Sequence, residues 1–522
     1  MIHSIEDNQK HFDNLMLVLT ILLVFIMAVR TPLDSDMWWH LKAGEWMVNF
    51  GSPLLMDVFS YTRAGEVWIN HSWLGEVILY WFYKNAGFWG LGFCVALTAT
   101  ASMGLLYKIM RGGPLFKAWF VILAAIICSF VWSPRPQIFS LLMFVALLSL
   151  IPTLSNQHGF IGSFGLFIFF ILWSNLHGGY GLGILLLIFL LVGEILDFLA
   201  RPDYKGKQIG GLKQKFIWLM IALVGVVINP NGLNTLVIPF KTIGVQTLQS
   251  LIDEWSSPNF HQLEMQPFLI LFFIVVAAFA FSKQTIRGCD VIAFLGFAYL
   301  ALVSKRNIAP FAIIASFIAG QYLPEILTEV AKNIREKLSL NPQRRIVNRG
   351  VISARLRRAM NYLLVGLLGL VALGKWYYVT HPVIVNAYES HFYPKKAITH
   401  IKKMGLPHSR LFNSYGWGGY TIWHLPEAAV FVDGRTDLFG DEILGEWLQV
   451  INAGKDWEQI VDKWEIGWFL IEPDQPVVER LIEKGWKVFY QDEVCIVIVR
   501  NNDQTDQESW LNHIAYKSSR RS

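Results

Sequence analysis

The chain has 522 residues, 54% of them hydrophobic and 16% charged, with a net charge of +5 and a mean hydropathy of +0.41. Ordinary soluble domains carry roughly 25% charged residues, so this composition excludes a disordered or nucleic-acid-binding chain and argues against a single soluble enzyme. Apolar residues gather in blocks of about 15 to 22, the length that crosses a bilayer core, which predicts a polytopic α-helical membrane protein with a sizeable remainder outside the bilayer.

In chain order the sequence predicts eleven spans, over 15–30, 88–110, 116–132, 138–152, 160–176, 180–200, 216–229, 265–282, 290–303, 308–323 and 361–379. The first is read as an uncleaved helix, because MIHSIEDNQK is not basic and no A-x-A site follows. Orientation follows from Lys and Arg. With the N-terminus cytoplasmic, the inside loops carry Lys108, Arg111 and Lys117, then Arg201 to Lys215, then Lys283 and Arg287, then the basic run from Lys332 to Arg358. The outside loops carry fewer: Arg30, Lys42, Arg63, Lys84, Arg135, Lys241, Lys305 and Arg306. The basic segment 324–360 then faces anionic headgroups in the cytoplasm. An odd number of spans places everything after 380 outside. The expected location is the plasma (inner) membrane, multi-pass, with a cytoplasmic N-terminus.

Three outer segments stand apart: a first loop, 31–87, a second long loop, 230–264, and a C-terminal tail, 380–522. Residues 1–379 are thus the membrane domain and 380–522 an extracytoplasmic one. In the tail, helix-like stretches (Tyr393 to Met404, Asp441 to Ala453, Val477 to Lys484) alternate with strand-like ones (Ala429 to Val432, Trp468 to Ile471, Val494 to Val499). That pattern predicts a small α/β domain, polar and frayed after Asn501. Cys94, Cys128, Cys289 and Cys495 show no CxxC or Cys/His spacing, so neither a disulfide framework nor a zinc site is read.

The first loop is the richest in chemistry. Asp34 and Asp36 sit two residues apart just after span one, followed by Met37, Trp38, Trp39 and His40. A helix-like run, 40–49, is closed by Gly51 and Pro53. Asp57, Ser60, Trp68, His71, Trp73 and Glu76 lead into a second run, 72–85. Both runs are apolar on one side, as helices lying on a membrane surface are. One reading makes the two aspartates caps and the tryptophans interfacial anchors. The other makes Asp36, or else Asp34, a general base that takes a proton from an attacking acceptor.

This loop, DSDMWWHLKAGEWMVNFGSPLLMDVFSYTRAGEVWINHSWLGE, resembles the first outer loop of GT-C superfamily glycosyltransferases. It is most similar to bacterial mannosyltransferase-like and RgtA/B/C/D-like proteins. The resemblance implies a GT-C-type bundle of about eleven helices with two surface helices. It implies a glycosyltransferase that moves a sugar from a polyprenyl-phosphate-linked donor to a glycan, lipid or protein acceptor, with inversion. It also makes Asp36, or Asp34, the catalytic base, with Trp38, Trp39, His40 and His71 beside it for substrate.

Further polar points lie at the same surface. Arg135, fixed in Ser133-Pro134-Arg135-Pro136, and Arg306, in Lys305-Arg306-Asn307, are cations suited to a phosphate; the alternative is contact with lipid headgroups. His177, before Gly178-Gly179, contacts substrate or is satisfied at a helix end. Asn229-Pro230-Asn231-Gly232 is a strong turn signal. Glu254, in Asp253-Glu254-Trp255, matches the late-loop carboxylate that helps hold a divalent metal in oligosaccharyltransferase catalytic subunits, a related GT-C branch. The acidic pair of that branch is replaced here by Ser-Pro-Arg-Pro, so a metal-independent reaction without cofactor is expected. In the tail, Tyr415-Gly416-Trp417-Gly418-Gly419-Tyr420 predicts a tight loop with exposed rings, Trp417 among them. It resembles the aromatic turn of the same branch without its Trp-Trp-Asp core. Asp433, Arg435 and Asp437 form either a structural turn or an acceptor-side group. The competing function is a transporter or lipid-linked-glycan flippase, against which the spans hold few ionisable groups and no visible inverted repeat.

Overall fold

The computed structural model describes residues 2–156, 160–201, 205–240, 252–338, 353–407 and 409–501. Lys241 with the rest of 241–251, the basic residues within 339–352 and the end after Asn501 lie outside the described residues. The chain is mostly helical, because a bilayer core offers no water and every backbone N–H must find its partner inside the segment. Nine described helices are long and apolar enough to span, and Ile161–Leu176 and Gly288–Val303 are shorter apolar ones. Together they fall on the eleven predicted spans.

Helix α1 (Ile2–Ala28) leads into the first loop. Helix α2 (Met37–Phe50) follows, ended by Gly51, whose positive φ of 67° lets its N–H reach the Met47 carbonyl. Helix α3 (Trp73–Ile109) is bent at Ala86 and Gly87, where Gly87 takes φ 54°. The bend divides the surface helix, 73–85, from the span, as the sequence predicts. Next come α4 (Pro114–Cys128), α5 (Gln137–Asn156), α6 (Phe160–Leu176), α7 (Tyr180–Ala200), α8 (Lys205–Val227), α9 (Gln266–Phe281), α10 (Gly288–Val303), α11 (Ile308–Lys337) and α12 (Ala354–Thr380). One apolar core runs through this bundle, from Val24 to Tyr322.

The tail opens with α13 (Pro382–Phe392) and α14 (Lys395–Met404), then builds a four-stranded sheet in the order β1-β2-β4-β3. Strand β1 (Arg410–Asn413) pairs parallel with β2 (Ile466–Ile471). Strand β4 (Ile496–Val499) pairs antiparallel with both β2 and β3 (Lys487–Gln491). Alternation sorts the side chains onto two faces. Phe412, Phe469, Ile471, Ile496 and Ile498 pack on α16 (Thr436–Ile451) and the helices Trp457–Lys463 and Pro476–Glu483. Leu411, Trp468, Leu470, Val497 and Val499 share a core with α14, helix α15 (Gly418–His424) and the first loop.

Two expectations change here. Ala429–Val432 is not a strand of this sheet: Val430 bridges Ser60 of the first loop, while 410–413 and 487–491 supply the strands the sequence did not mark. The apolar side of α2 is covered by protein, since Met37, Trp38, Leu41, Ala43 and Met47 are buried between α3 and the tail.

Candidate active site

Asp36 occupies the cap position of α2 but makes no capping hydrogen bond. Its N–H instead donates to Asp34 Oδ1 at 2.9 Å, which fixes the two carboxylates relative to one another. Both meet Arg135. Its Nε donates to Asp34 Oδ1 at 2.5 Å, and its Nη1 lies 3.0 Å from Asp36 Oδ2 and 3.3 Å from Glu254 Oε1. Burial opposes the charge of Arg135, but Asp34, Asp36 and Glu254 outweigh it and hold the guanidinium well above its ordinary range. Burial pushes Asp36 up, against the pull of Arg135 and with the help of Asp34 and Glu254, to about 6. The carboxylate is therefore a stronger base than a free aspartate, yet still ionised at neutral pH.

Glu254 comes from the turn Asp253–Trp255, and that turn is stapled to the loop before α11. Ser304 Oγ donates to the Glu254 carbonyl at 2.9 Å, the Lys305 N–H donates to the Ser256 carbonyl at 3.0 Å, and Lys305 Nζ pairs with Asp253 at 2.5 Å. The staple delivers Arg306, whose guanidinium lies over the Trp255 ring at 5.0 Å and faces Glu254, Arg135, Asp36 and Asp437. The two cations predicted for phosphate thus converge, but differ in state. Arg135 is paired with three carboxylates, whereas Arg306 makes no ion pair with the described residues.

The histidines stand alongside. The Gly179 N–H donates to His177 Nδ1 at 3.0 Å, and Ser140 Oγ is 2.9 Å from the same nitrogen. Nδ1 is therefore an acceptor and Nε2 carries the proton. Burial, with His71 and Arg306, holds His177 well below its ordinary range. His71 packs edge-on against it at 5.7 Å, and burial lowers it too. His40 lies 2.9 Å from Glu76, whose other oxygen accepts from Asn70 Nδ2 at 2.8 Å. Burial, with Arg135, keeps His40 neutral. Asn231 Nδ2 donates to the Asn70 carbonyl at 2.9 Å, so the predicted turn at 229–232 ties the second loop to the first.

The tail forms one wall. Arg435 grips Asp433 through Nε and Nη2 and Asp57 through Nη1 at 2.6 Å, with all three side chains fully buried. The Phe439, Phe59 and Trp68 rings enclose its guanidinium at 4.9–5.7 Å. This is the structural alternative for the acidic turn, and it carries a consequence. Gly434, between the two partners, lies directly on Asp36. Tyr415 faces the same cluster: burial, with the Asp36 and Asp433 carboxylates, raises its hydroxyl well above the usual range.

The expected exposed rings are a correction. Trp417 is buried and its Nε1 donates to the Phe392 carbonyl at 3.0 Å. Trp38 is 1% exposed and packs edge-on against Tyr420 and Tyr393. These rings hold the tail to α2, because a flat apolar face gains more from burial than from water. Trp39 is nearly as buried and stacks against His40 at 3.5 Å. Asp57 and Tyr415 were named in the sequence without their partners, since Arg435 and Asp36 lie more than 300 residues away from them in the chain. As for a metal, no three His, Cys, Asp or Glu side chains among the described residues are grouped to hold one. The three carboxylates that converge do so on the Arg135 guanidinium.

No protein-family model and no curated protein sequence matches the chain. Solved structures do match. The archaeal oligosaccharyltransferase AglB from Archaeoglobus fulgidus, in complex with an inhibitory peptide and a dolichol-phosphate, is similar with a TM-score of 0.54 at 10% identity, over 89% of this chain and 70% of that one. The Archaeoglobus fulgidus oligosaccharyltransferase in the apo form gives 0.54 at 11%, over 88% and 70%. ArnT from Cupriavidus metallidurans bound to undecaprenyl phosphate gives 0.48 at 13%, over 92% and 97%. At these identities the likeness is one of fold, that of polytopic helical membrane proteins.

Proposed function

We propose that this multi-pass membrane protein is a glycosyltransferase that moves a sugar from a polyprenyl-phosphate donor to an acceptor at the outer membrane surface. The observation that carries the reading is Asp36: a carboxylate released from capping, raised to about 6 and held by Arg135, with Arg306, which has no ion pair among the described residues, facing it. The shared fold supports it, since AglB was crystallised with a dolichol-phosphate and a peptide. The Lys and Arg bias supports the outer side.

The acceptor X–H attacks the anomeric carbon while Asp36 takes its proton. The bond from that carbon to the phosphate oxygen breaks, and its electron pair leaves with the polyprenyl phosphate. Displacement from the opposite face inverts the configuration. With its pKa raised to about 6, Asp36 is still mostly ionised at neutral pH, and a base tuned toward the working pH is the more effective one. Arg135 aims Asp36. Arg306 receives the charge that grows on the leaving phosphate, which a preorganised cation stabilises best away from bulk water. His71 and the Nε2–H of His177 lie beside it to engage the sugar or the acceptor.

The test is transfer by purified protein from a panel of polyprenyl-phosphate sugars to mixed cell-envelope acceptors, with Asp36→Asn and Asp34→Asn in parallel. Transfer that Asp36→Asn abolishes, with the fold intact, supports the reading. Transfer unchanged in both variants removes the assigned base, and no transfer from any donor removes the activity.

A further inference from the structure

A second pair of cations lies at the same end of the bundle. Arg30 follows the last turn of α1 and donates from Nη1 to the Ser129 carbonyl at 2.9 Å. Lys375, on α12, donates from Nζ to the Ile26 carbonyl at 2.7 Å, one turn before Arg30. Lys375 is close enough to feel the charge of Arg30. No carboxylate is among the charges that act on either, and neither makes an ion pair with the described residues.

Helix ends account for part of this. Ile26 and Ser129 lie where helices finish; no described backbone N–H reaches the Ile26 carbonyl, and the Ser129 carbonyl takes only the Trp132 N–H at 3.4 Å, so both welcome a cation. Each cation spends only one donor there, however, while an ammonium has three and a guanidinium five. Arg30 is exposed and Lys375 half-buried, so the spare donors are accessible. Two like charges held together raise the free energy unless an anion joins them.

The surroundings say which anion. Trp376, next to Lys375, donates from Nε1 to the Trp89 carbonyl at 3.3 Å. The Trp89 ring lies 5.4 Å from Trp376 and 5.0 Å from Tyr377. Such a Trp and Tyr cluster at the end of spanning helices marks the depth of lipid headgroups, where phosphate is the common anion. The ends of both bracing segments lead to the site. Asp34 lies four residues beyond Arg30, and the Ser129 turn continues to Arg135.

We propose that Arg30 and Lys375 together bind the phosphate of a membrane lipid at the edge of the Asp36 site. The phosphate belongs either to a bulk anionic phospholipid or to a polyprenyl phosphate. The proposal needs only a lipid phosphate, so it stands or falls apart from the transferase reading.

The experiment titrates phosphatidylglycerol and, separately, a polyprenyl phosphate into the full-length protein in neutral detergent. Binding is read by native mass spectrometry and by lipid-dependent thermal shift. The Arg30→Gln/Lys375→Gln double variant is expected to bind about tenfold more weakly or worse, as loss of charge-assisted hydrogen bonds does, while Arg30→Lys retains most of the affinity. The polyprenyl phosphate arm is repeated in an Arg306→Gln background to separate this position from the Asp36 site. Weakening for both lipids identifies a site open to any lipid phosphate, and weakening for one alone identifies its source. Unchanged affinity for both overturns the proposal and leaves the two cations as helix caps. Should the double variant fail to fold, Arg30→Gln alone carries the test, since it removes an exposed side chain with one hydrogen bond.

Discussion

Substituting Gly434 by alanine tests whether the tail wall sets the geometry of Asp36. A Cβ on Gly434 would stand 1.9 Å from Asp36 Oδ1, 2.8 Å from its Cγ and 2.9 Å from Trp39 Nε1. Ordinary contact begins at 3.4 Å, so one side must retreat by about 1.5 Å in a site too closely packed to absorb it. Gly434 cannot give way, because Asp433 and Arg435 on either side are locked to each other and to Asp57. Asp36 therefore yields and lengthens its 3.0 Å contact with Arg135. A misplacement of about 1 Å can cost about a hundredfold in rate, and overpacking costs about 1–3 kcal/mol of stability. The assay is the transfer rate from a polyprenyl-phosphate sugar as a function of pH, beside thermal unfolding. Since Arg135 lowers the pKa of Asp36, loosening the pair moves the acid limb of the profile above 6. Gly445→Ala, which would meet nothing within 4 Å, is the matched control. Retention of more than a third of the activity with an unmoved acid limb would refute the reasoning.

Four further outcomes are expected. In the wild type, activity falls as pH drops through about 6, because the base works only when deprotonated; a flat profile between pH 5 and 8 would count against Asp36. Arg135→Gln moves that limb upward, since the cation that favours the carboxylate is gone, and slows transfer by about a hundredfold through lost aim; both are read from one pH–rate series. Arg435→Leu leaves Asp57 and Asp433 buried without their cation and costs about 3–5 kcal/mol, seen as a lower melting temperature. Trp38→Ala empties a ring-sized volume between α2 and the tail, for about 3–5 kcal/mol of stability, and limited proteolysis should then cut the tail faster.

The bundle was legible because a bilayer imposes one length and one composition on every span. Block lengths therefore located the eleven apolar helices among the described residues, and the bend at Ala86 and Gly87 falls between the predicted run 72–85 and the span that begins at 88. The site was legible in part. Asp34, Asp36, Arg135, Glu254 and Arg306 were each singled out as polar groups at one surface, and they do face one another. Their pairing was not legible. Arg135 read as a phosphate ligand, yet three carboxylates surround it. Trp417 read as an exposed ring, yet α13 and the tail core cover it. Exposure and pairing depend on neighbours distant in sequence, and local pattern carries no information about those.

What the sequence by itself determined is the membrane class, the spans, the small α/β tail and the surface on which the chemistry gathers. These follow from the periodicity and length of apolar runs, which act locally. What only the tertiary structure decided is which groups meet: that Asp36 gives up capping for Arg135, that Arg306 has no ion pair among the described residues, and that Gly434 from the tail closes on the first loop. Those contacts join residues up to about 400 positions apart. Their energies depend on burial and a few ångströms of distance, which exist only once loop and tail have packed together.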